Sequence, residues 1–308
     1  AIGAPNAPIV FTSILDNIQQ GQLSGTNLTE NDHGLWGGVA ILGNAPISAS
    51  DGDVESQLPG IPMEETFGAF GGNDEMDNSG TLECVSIRHS GSFIGAGSES
   101  NGLTLGGVGS GTTIANIEVV AGLDDGVECL GGTVDVSNLT IGFMSDDGLD
   151  IDMNYAGTVE NFTIVINENS DKVIEADGPE GTTYTDGLFT LENGTVLTEG
   201  NVVCRSDFKS NAKGTITNVD FNGGINLAAT YDASCSQLIG NSLFYLLEST
   251  PQLTFNSCDR TIVSYQSYPC IVNPTDVTAA EGLITPVSTQ GNTNSDLDWT
   301  WLRIKGKL

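Results

Sequence analysis

The sequence predicts an all-β protein, a right-handed parallel β-helix of about ten coils with loop decorations. Three observations carry this. A phrase repeats at steps of 22 and 23 residues, apolar and polar residues alternate within each copy, and the composition suits strands and turns.

The composition comes first because it sets the class. The 308 residues include 40 Gly and 10 Pro. Runs rich in Ala, Leu, Glu and Lys are scarce, which favours strands joined by tight turns over helices. A single domain of this length is ordinary for a solenoid, whose core grows by adding coils. Residues 1–308 therefore read as one β-helix domain, most regular over 81–164, with 258–308 as a C-terminal cap.

The repeated phrase is apolar-x-Asn-apolar-x-apolar. It occurs at Ile114-Ala115-Asn116-Ile117-Glu118-Val119, Val136-Ser137-Asn138-Leu139-Thr140-Ile141, Val159-Glu160-Asn161-Phe162-Thr163-Ile164 and Ile216-Thr217-Asn218-Val219-Asp220-Phe221. An earlier copy, Leu82-Glu83-Cys84-Val85-Ser86-Ile87, has Cys in place of Asn. A second phrase keeps the same step at Asn101-Gly102-Leu103, Asp125-Gly126-Val127 and Asp147-Gly148-Leu149. Such a step accommodates three short strands and three turns per coil. Stacked at roughly 4.8 Å, Asn116, Asn138 and Asn161 form a structural ladder, because Asn tolerates left-handed backbone angles and its amide can bond the next coil. Asn138 and Asn161 also begin glycosylation sequons, which an inward ladder discounts; Asn27 and Asn193 begin two more.

Forty acidic residues against nine Lys and Arg give a net charge of −31, which opposes nucleic acid and anionic bilayers as partners. No run of eighteen apolar residues is present to cross a membrane as a helix. Six Cys with no CxxC pair, and only two His, argue against zinc. An even Cys count in an exported chain points to disulfides, Cys258 with Cys270 first and Cys204 with Cys235 next. Cys84 and Cys129 read equally as a bonded pair or as small buried apolar residues.

The densest acidic constellation is Asp124, Asp125, Asp146, Asp147, Asp150 and Asp152. The coil step stacks Asp125 under Asp147, and two carboxylates that close need a proton or a cation between them. Turn formation by the Asp-Gly pairs is the first explanation of these residues; Ca²⁺, which takes six to eight oxygen ligands, is the alternative and the one candidate cofactor. Arg88-His89 reads as a surface turn at the end of a strand, and Trp36 as core. The terminal Trp299-Thr300-Trp301-Leu302-Arg303-Ile304-Lys305-Gly306-Lys307-Leu308 alternates like a terminal strand, with Leu302, Ile304 and Leu308 on one face. Trp299, Trp301, Arg303, Lys305 and Lys307 are expected to serve assembly.

The phrases Pro8-Ile9-Val10-Phe11-Thr12-Ser13, Leu35-Trp36-Gly37-Gly38-Val39-Ala40-Ile41-Leu42-Gly43, Asn101-Gly102-Leu103-Thr104-Leu105-Gly106-Gly107-Val108-Gly109 and Asp124-Asp125-Gly126-Val127-Glu128 resemble a group of exported bacterial β-helix surface proteins and lipoproteins of unknown function. The resemblance covers residues 1–162 and implies an extracellular or cell-surface setting. Members of that group carry further coils before the first phrase, so an open first coil here would accept the basic terminal strand of another copy, head to tail. The expected function is therefore an extracellular structural or adhesive surface protein, self-assembling end to end or binding extracellular glycan. The alternative is a glycan-active β-helix enzyme of the polygalacturonase type, less so a lyase. Asp146-Asp147-Gly148-Leu149-Asp150 and Arg303-Ile304-Lys305 are similar to that type's motifs. The order of motifs and the absence of Gly-His-Gly depart from it, so no catalytic residue is assigned.

Overall fold

The computed structural model describes residues 1–50, 54–62, 64–93, 98, 100–200, 204–208, 212, 214–221, 225–226 and 296–308. These residues build a parallel β-helix of seven coils. One sheet stacks Ile9–Phe11, Thr81–Arg88, Thr113–Val120, Val136–Gly142, Thr158–Glu160 with Thr163–Ile166, Phe189–Thr198 and Gly214–Phe221. The other stacks Val39–Leu42, Leu103–Gly106, Val127–Leu130, Leu149–Asp152, Ile174–Ala176, Cys204–Phe208 and Ile225–Asn226. Further coils beyond Asn226 would fall outside the described residues. A small antiparallel hairpin, Glu55–Gln57 with Ala69–Gly71, decorates the loop between the first two coils.

Every strand of the two stacked sheets pairs in parallel with its counterpart one coil away, in a register that keeps like residues in columns. Leu82, Ile114, Val136, Val159 and Leu191 form one column, and Ile87, Val119, Ile141, Ile164 and Val196 another. Leu103, Val127, Leu149 and Ile174 form a third on the opposite sheet. All are buried and together make one continuous core. Alternation within each strand is what sends these residues inward and their neighbours outward.

The long strands of the first sheet are bent in the middle by one residue in the left-handed region. These are Cys84 (φ 50°), Asn116 (φ 54°), Asn138 (φ 57°), Asn161 (φ 56°) and Asn193 (φ 56°). Asn138 Nδ2 donates to Asn116 Oδ1 at 3.1 Å, so the amide ladder exists at that step. Asn193 extends the same column, a structural place for a residue first noted as a sequon. Asn138→Ala is expected to cost about 1–2 kcal/mol in urea unfolding, since Ala pays for the left-handed angle and loses the bond, whereas Asn138→Gly should cost less. Equal losses in the two variants would show that the backbone angle is not what Asn138 supplies. Above the bend, Phe162 fills the core because Gly194 lies over it; a Cβ there would sit 2.1 Å from the ring.

Cys84 and Cys129 are both free and buried, which settles them as small apolar core residues. Cys235, Cys258, Cys270 and the Cys204 side chain lie outside the described residues.

The C-terminal segment departs from the expected strand. Thr300 caps a short helix, Trp301–Ile304, accepting from Arg303 N at 3.2 Å. Gly306 (φ 71°) ends it, with Lys307 N donating to Leu302 O and Gly306 N to Arg303 O. A Thr cap and a left-handed Gly outcompete the alternation, because together they satisfy both ends of one helical turn. Consecutive Trp301 and Leu302 are therefore both buried, against Val120, Ala121, Phe143 and Val165 on the flank of the solenoid.

That docking buries a face which alternation alone would leave to solvent. Arg88 and Glu118 are both fully buried and pair at 3.6 Å. Ser86 Oγ donates to Glu118 Oε2, Arg88 Nε donates to Ser86 Oγ at 2.6 Å, and Leu302 N donates to Glu118 Oε1 at 3.0 Å. His89, also buried, stands edge-on to Trp301, with Nδ1 at 2.6 Å from Asp32 O. The expected surface turn at Arg88-His89 is thus corrected: the loop of residues 12–36 and the C-terminal segment cover it. Leu23 O accepts from Arg88 Nη1, and Trp36 Nε1 donates to Arg88 O.

Candidate functional site

The acidic residues gather on the outer face of the second sheet because the coil step lines up three positions. In the turn before each strand, Asn101, Asp125, Asp147 and Lys172 succeed one another, joined by backbone bonds from the following glycine or strand to the next coil. One residue earlier, Asp171 N donates to Asp146 O, continuing the Asp124 position upward. On the strands themselves, Thr104, Glu128, Asp150 and Glu175 are consecutive register partners and point outward.

Asp125 and Asp147 do stack, and each also serves its turn. Asp147 N donates to Asp125 Oδ1 at 3.0 Å, and Lys172 N to Asp147 Oδ1 at 2.9 Å. One oxygen of each carboxylate is thereby committed to backbone. The carboxylates further converge in three triplets, each with ligand oxygens within 4.8 Å of one another: Asp124–Asp125–Asp146, Asp125–Glu128–Asp150 and Asp146–Asp147–Asp171. Asp152 lies outside these triplets, where burial, and then the neighbouring Asp177, raises its carboxyl to about 8.

The two levels are neutralised differently. At the upper level the Lys172 ammonium reaches Asp171 at 3.0 Å, Asp147 at 3.3 Å and Glu175 at 3.3 Å. Those carboxylates hold its proton more firmly than usual, which leaves Lys172 poorly suited to act as a base. At the level below, Asp125, Glu128 and Asp150 are within 4.8 Å of one another, and Asn101 Nδ2 donates to Glu128. Asp150 is 8% exposed and its Oδ1 has no hydrogen-bond partner. Burial, then neighbouring carboxylates, raises Asp125 and Asp150 well above the ordinary range and Glu128 to about 7. Asp147 is raised to about 7 by burial against the opposing pull of Lys172.

A cation fits this lower triplet. The donors are all hard oxygens, one buried oxygen is orphaned, and one coil above an ammonium takes the equivalent place. Asp125, Glu128 and Asp150 are the residues that would hold Ca²⁺, which would supply the positive charge that the clustered carboxylates need. Beside them opens a cavity of about 530 Å³, lined by Gly37, Gly38, Ser100, Asn101, Thr104 and Asp124 among others, with Leu58 and Pro59 as its apolar wall. This volume lies within the range that small-ligand pockets span.

Sequence reasoning named five of the clustered residues but missed Glu128, Asp171, Asn101, Lys172 and Glu175. Glu128 was findable, since it lies outward on the strand that Asp125 begins; Lys172 was not, because the coil that carries it breaks the repeat. The expected assembly residues lie elsewhere. Trp299 and Trp301 are buried, and Lys305 Nζ bonds Gly25 O at 3.0 Å while lying over the Trp301 ring. Lys307 pairs with Glu30 at 2.9 Å and Glu199 at 2.6 Å, and Arg303 reaches Asp298 at 3.6 Å. Their charge is thus met within the chain.

No helix among the described residues is long and apolar enough to cross a membrane. No curated protein and no solved structure matches the sequence. The family model described as a pectate-lyase-like β-helix domain matches residues 1–243, in keeping with the stacked parallel coils, and the chain belongs to that family.

Proposed function

We propose that this protein is an extracellular, adhesive glycan-binding protein whose acidic cleft holds a divalent cation, Ca²⁺, and engages saccharide beside it. The observation that supports this most is the convergence of Asp125, Glu128 and Asp150, the first two of which line the cavity, with a buried orphan oxygen on Asp150. A cation there cancels a concentrated negative charge and presents a Lewis-acidic centre to sugar hydroxyl or carboxylate oxygens.

Calorimetric titration of Ca²⁺ into the metal-stripped protein at pH 7.5 tests the cation. One site is expected, with affinity in the roughly 10⁻⁴ to 10⁻³ M range of extracellular modules. Asp150→Asn should weaken it at least tenfold, and Glu64→Gln, on an exposed loop, should leave it unchanged. A glycan array probed with and without EDTA tests the ligand; glycan binding that ignores the chelator would remove the cation from the reading.

A second reading, glycoside hydrolysis, is favoured by the raised Glu128 carboxyl, which is protonated in part at neutral pH beside an acidic neighbour, as acid catalysis of glycoside cleavage requires. Release of reducing ends from a polysaccharide, lost in Glu128→Gln, would select it over binding alone.

A further inference from the structure

The acidic face of the second sheet is met once by a cation of the chain's own, and the equivalent place recurs one coil below. Lys172 N donates to Asp147 Oδ1 just as Asp147 N donates to Asp125 Oδ1, so Lys172 stands over Asp147 as Asp147 stands over Asp125. In strand register Glu175 lies over Asp150, and Asp150 over Glu128. From its position the Lys172 ammonium reaches Asp147 and Glu175, each at 3.3 Å, and Asp171 at 3.0 Å. One coil down the corresponding pair is Asp125 and Asp150, and the residue in the place of Lys172 is Asp147, which brings a carboxylate instead of a cation. The charges that bear most on Asp125, Glu128 and Asp150 are those of other carboxylates. Asp150, only 8% exposed, also keeps an Oδ1 with no hydrogen-bond partner, so the lower place has an acceptor to spare.

An ammonium from outside would complete the lower place as Lys172 completes the upper one, and the cavity indicates what carries it. Asp125 and Glu128 line that cavity together with Asn101 and Thr104, which suit sugar hydroxyls, and Leu58 and Pro59, which suit the C–H face of a ring. Its volume of about 530 Å³ is that of a small-ligand pocket, more than an alkylammonium tip would fill. The net charge of −31 draws a cationic polymer and repels a polyuronate. We infer that the cleft takes glycans containing unsubstituted amino sugars, with the primary ammonium of one ring seated among Asp125, Glu128 and Asp150 in the place of Ca²⁺. This rests on the glycan-binding reading and adds to it a ligand class and a competition. Ca²⁺ and the amino sugar use the same oxygens, so each weakens the binding of the other.

Calorimetric titration of the protein with the tetramer of glucosamine, its N-acetylated counterpart and trilysine, at pH 7 in EDTA and 150 mM NaCl, provides the test. The parent chain should bind the glucosamine tetramer at least tenfold more tightly than either of the other two, a comparison that needs no variant to fold. Asp150→Asn should weaken that binding at least tenfold; it removes one charge from a net of −31, so diffuse attraction of a polycation would hardly change. Replacing EDTA with 5 mM Ca²⁺ should weaken binding of the glucosamine tetramer to the parent. Equal binding of the N-acetylated tetramer, or an undiminished affinity in Asp150→Asn, overturns the inference while leaving glycan binding intact. Equal binding of trilysine overturns the ligand class, since the site would then read an ammonium without a sugar. Indifference to Ca²⁺ overturns the shared oxygens. Failure of the parent to bind either tetramer overturns the inference, whereas the glycan reading falls only if the array also shows no ligand.

Discussion

Glu118→Ala is expected to destabilise the protein by about 3–5 kcal/mol, the range for breaking a buried ion pair from one side. The cost comes from what is left behind. Arg88 would remain fully buried with its charge uncompensated, Ser86 would lose its acceptor, and the Leu302 amide would lose the carboxylate oxygen at 3.0 Å that anchors the C-terminal segment. Burial already draws the Arg88 guanidinium below its ordinary value, and the adjacent Glu118 carboxylate opposes that pull. The paired replacement Arg88→Met/Glu118→Met should recover most of the loss, since it removes both charges together. Urea unfolding of the single and double variants measures this. A single variant within 1 kcal/mol of the parent would mean that the pair is hydrated in solution and that the C-terminal segment does not seal it.

The second large effect is a pH dependence that runs opposite to ordinary acid denaturation. In the folded protein the Glu128 carboxyl lies at about 7, against an ordinary 4.5, so the folded state binds more protons than the unfolded chain between those values. Its contribution is fully present below about 4.5 and is lost as pH rises through 7. At about 1.4 kcal/mol per unit, that one group withdraws about 3 kcal/mol of stability across the window. Asp147, at about 7, and Asp152, at about 8, act in the same direction. In EDTA, therefore, stability should fall between pH 5 and pH 8. Glu128→Gln should flatten the fall by about 3 kcal/mol, because the amide keeps the shape without the charge. Ca²⁺ should restore stability at pH 8 and do little at pH 5, where protons occupy the same oxygens. A stability that rises with pH in EDTA would overturn the account of the lower triplet, since it would mean that those carboxylates ionise in the folded state at no cost.

Both effects come from charges removed from water on the outside of the solenoid, not in its core. The core is chemically plain: apolar columns, one per register position, sealed by alternation. The outer faces differ according to what covers them. On the first sheet, Ser86, Glu118, Thr140 and Thr163 share an outward column and are all buried beneath the long first loop and the C-terminal helix. On the second sheet the outward column Thr104–Glu128–Asp150–Glu175 has the cavity beside it. The same structural device, one residue per coil at a fixed step, produces a sealed ionic hub on one side and a carboxylate-lined cleft on the other.

The parallel β-helix was legible in the sequence because its determinants are local and repeat. The Asn116–Asn138–Asn161 column, the alternation of the strands and the Asp-Gly turns each recur at the coil step. Parallel stacking converts equal spacing along the chain into adjacency in space. For the same reason Asp125 beneath Asp147 could be foreseen. What tertiary structure alone decided has no repeat to announce it. Glu118 meets Leu302 across 184 positions, Lys307 meets Glu30 across 277, and Lys172 reaches Asp147 from a coil of irregular length. Such contacts depend on how a loop or a chain end packs against a finished surface. Local pattern marked Arg88-His89 as surface and the last ten residues as a strand, and burial under covering segments reversed the first while helix caps and flank packing reversed the second.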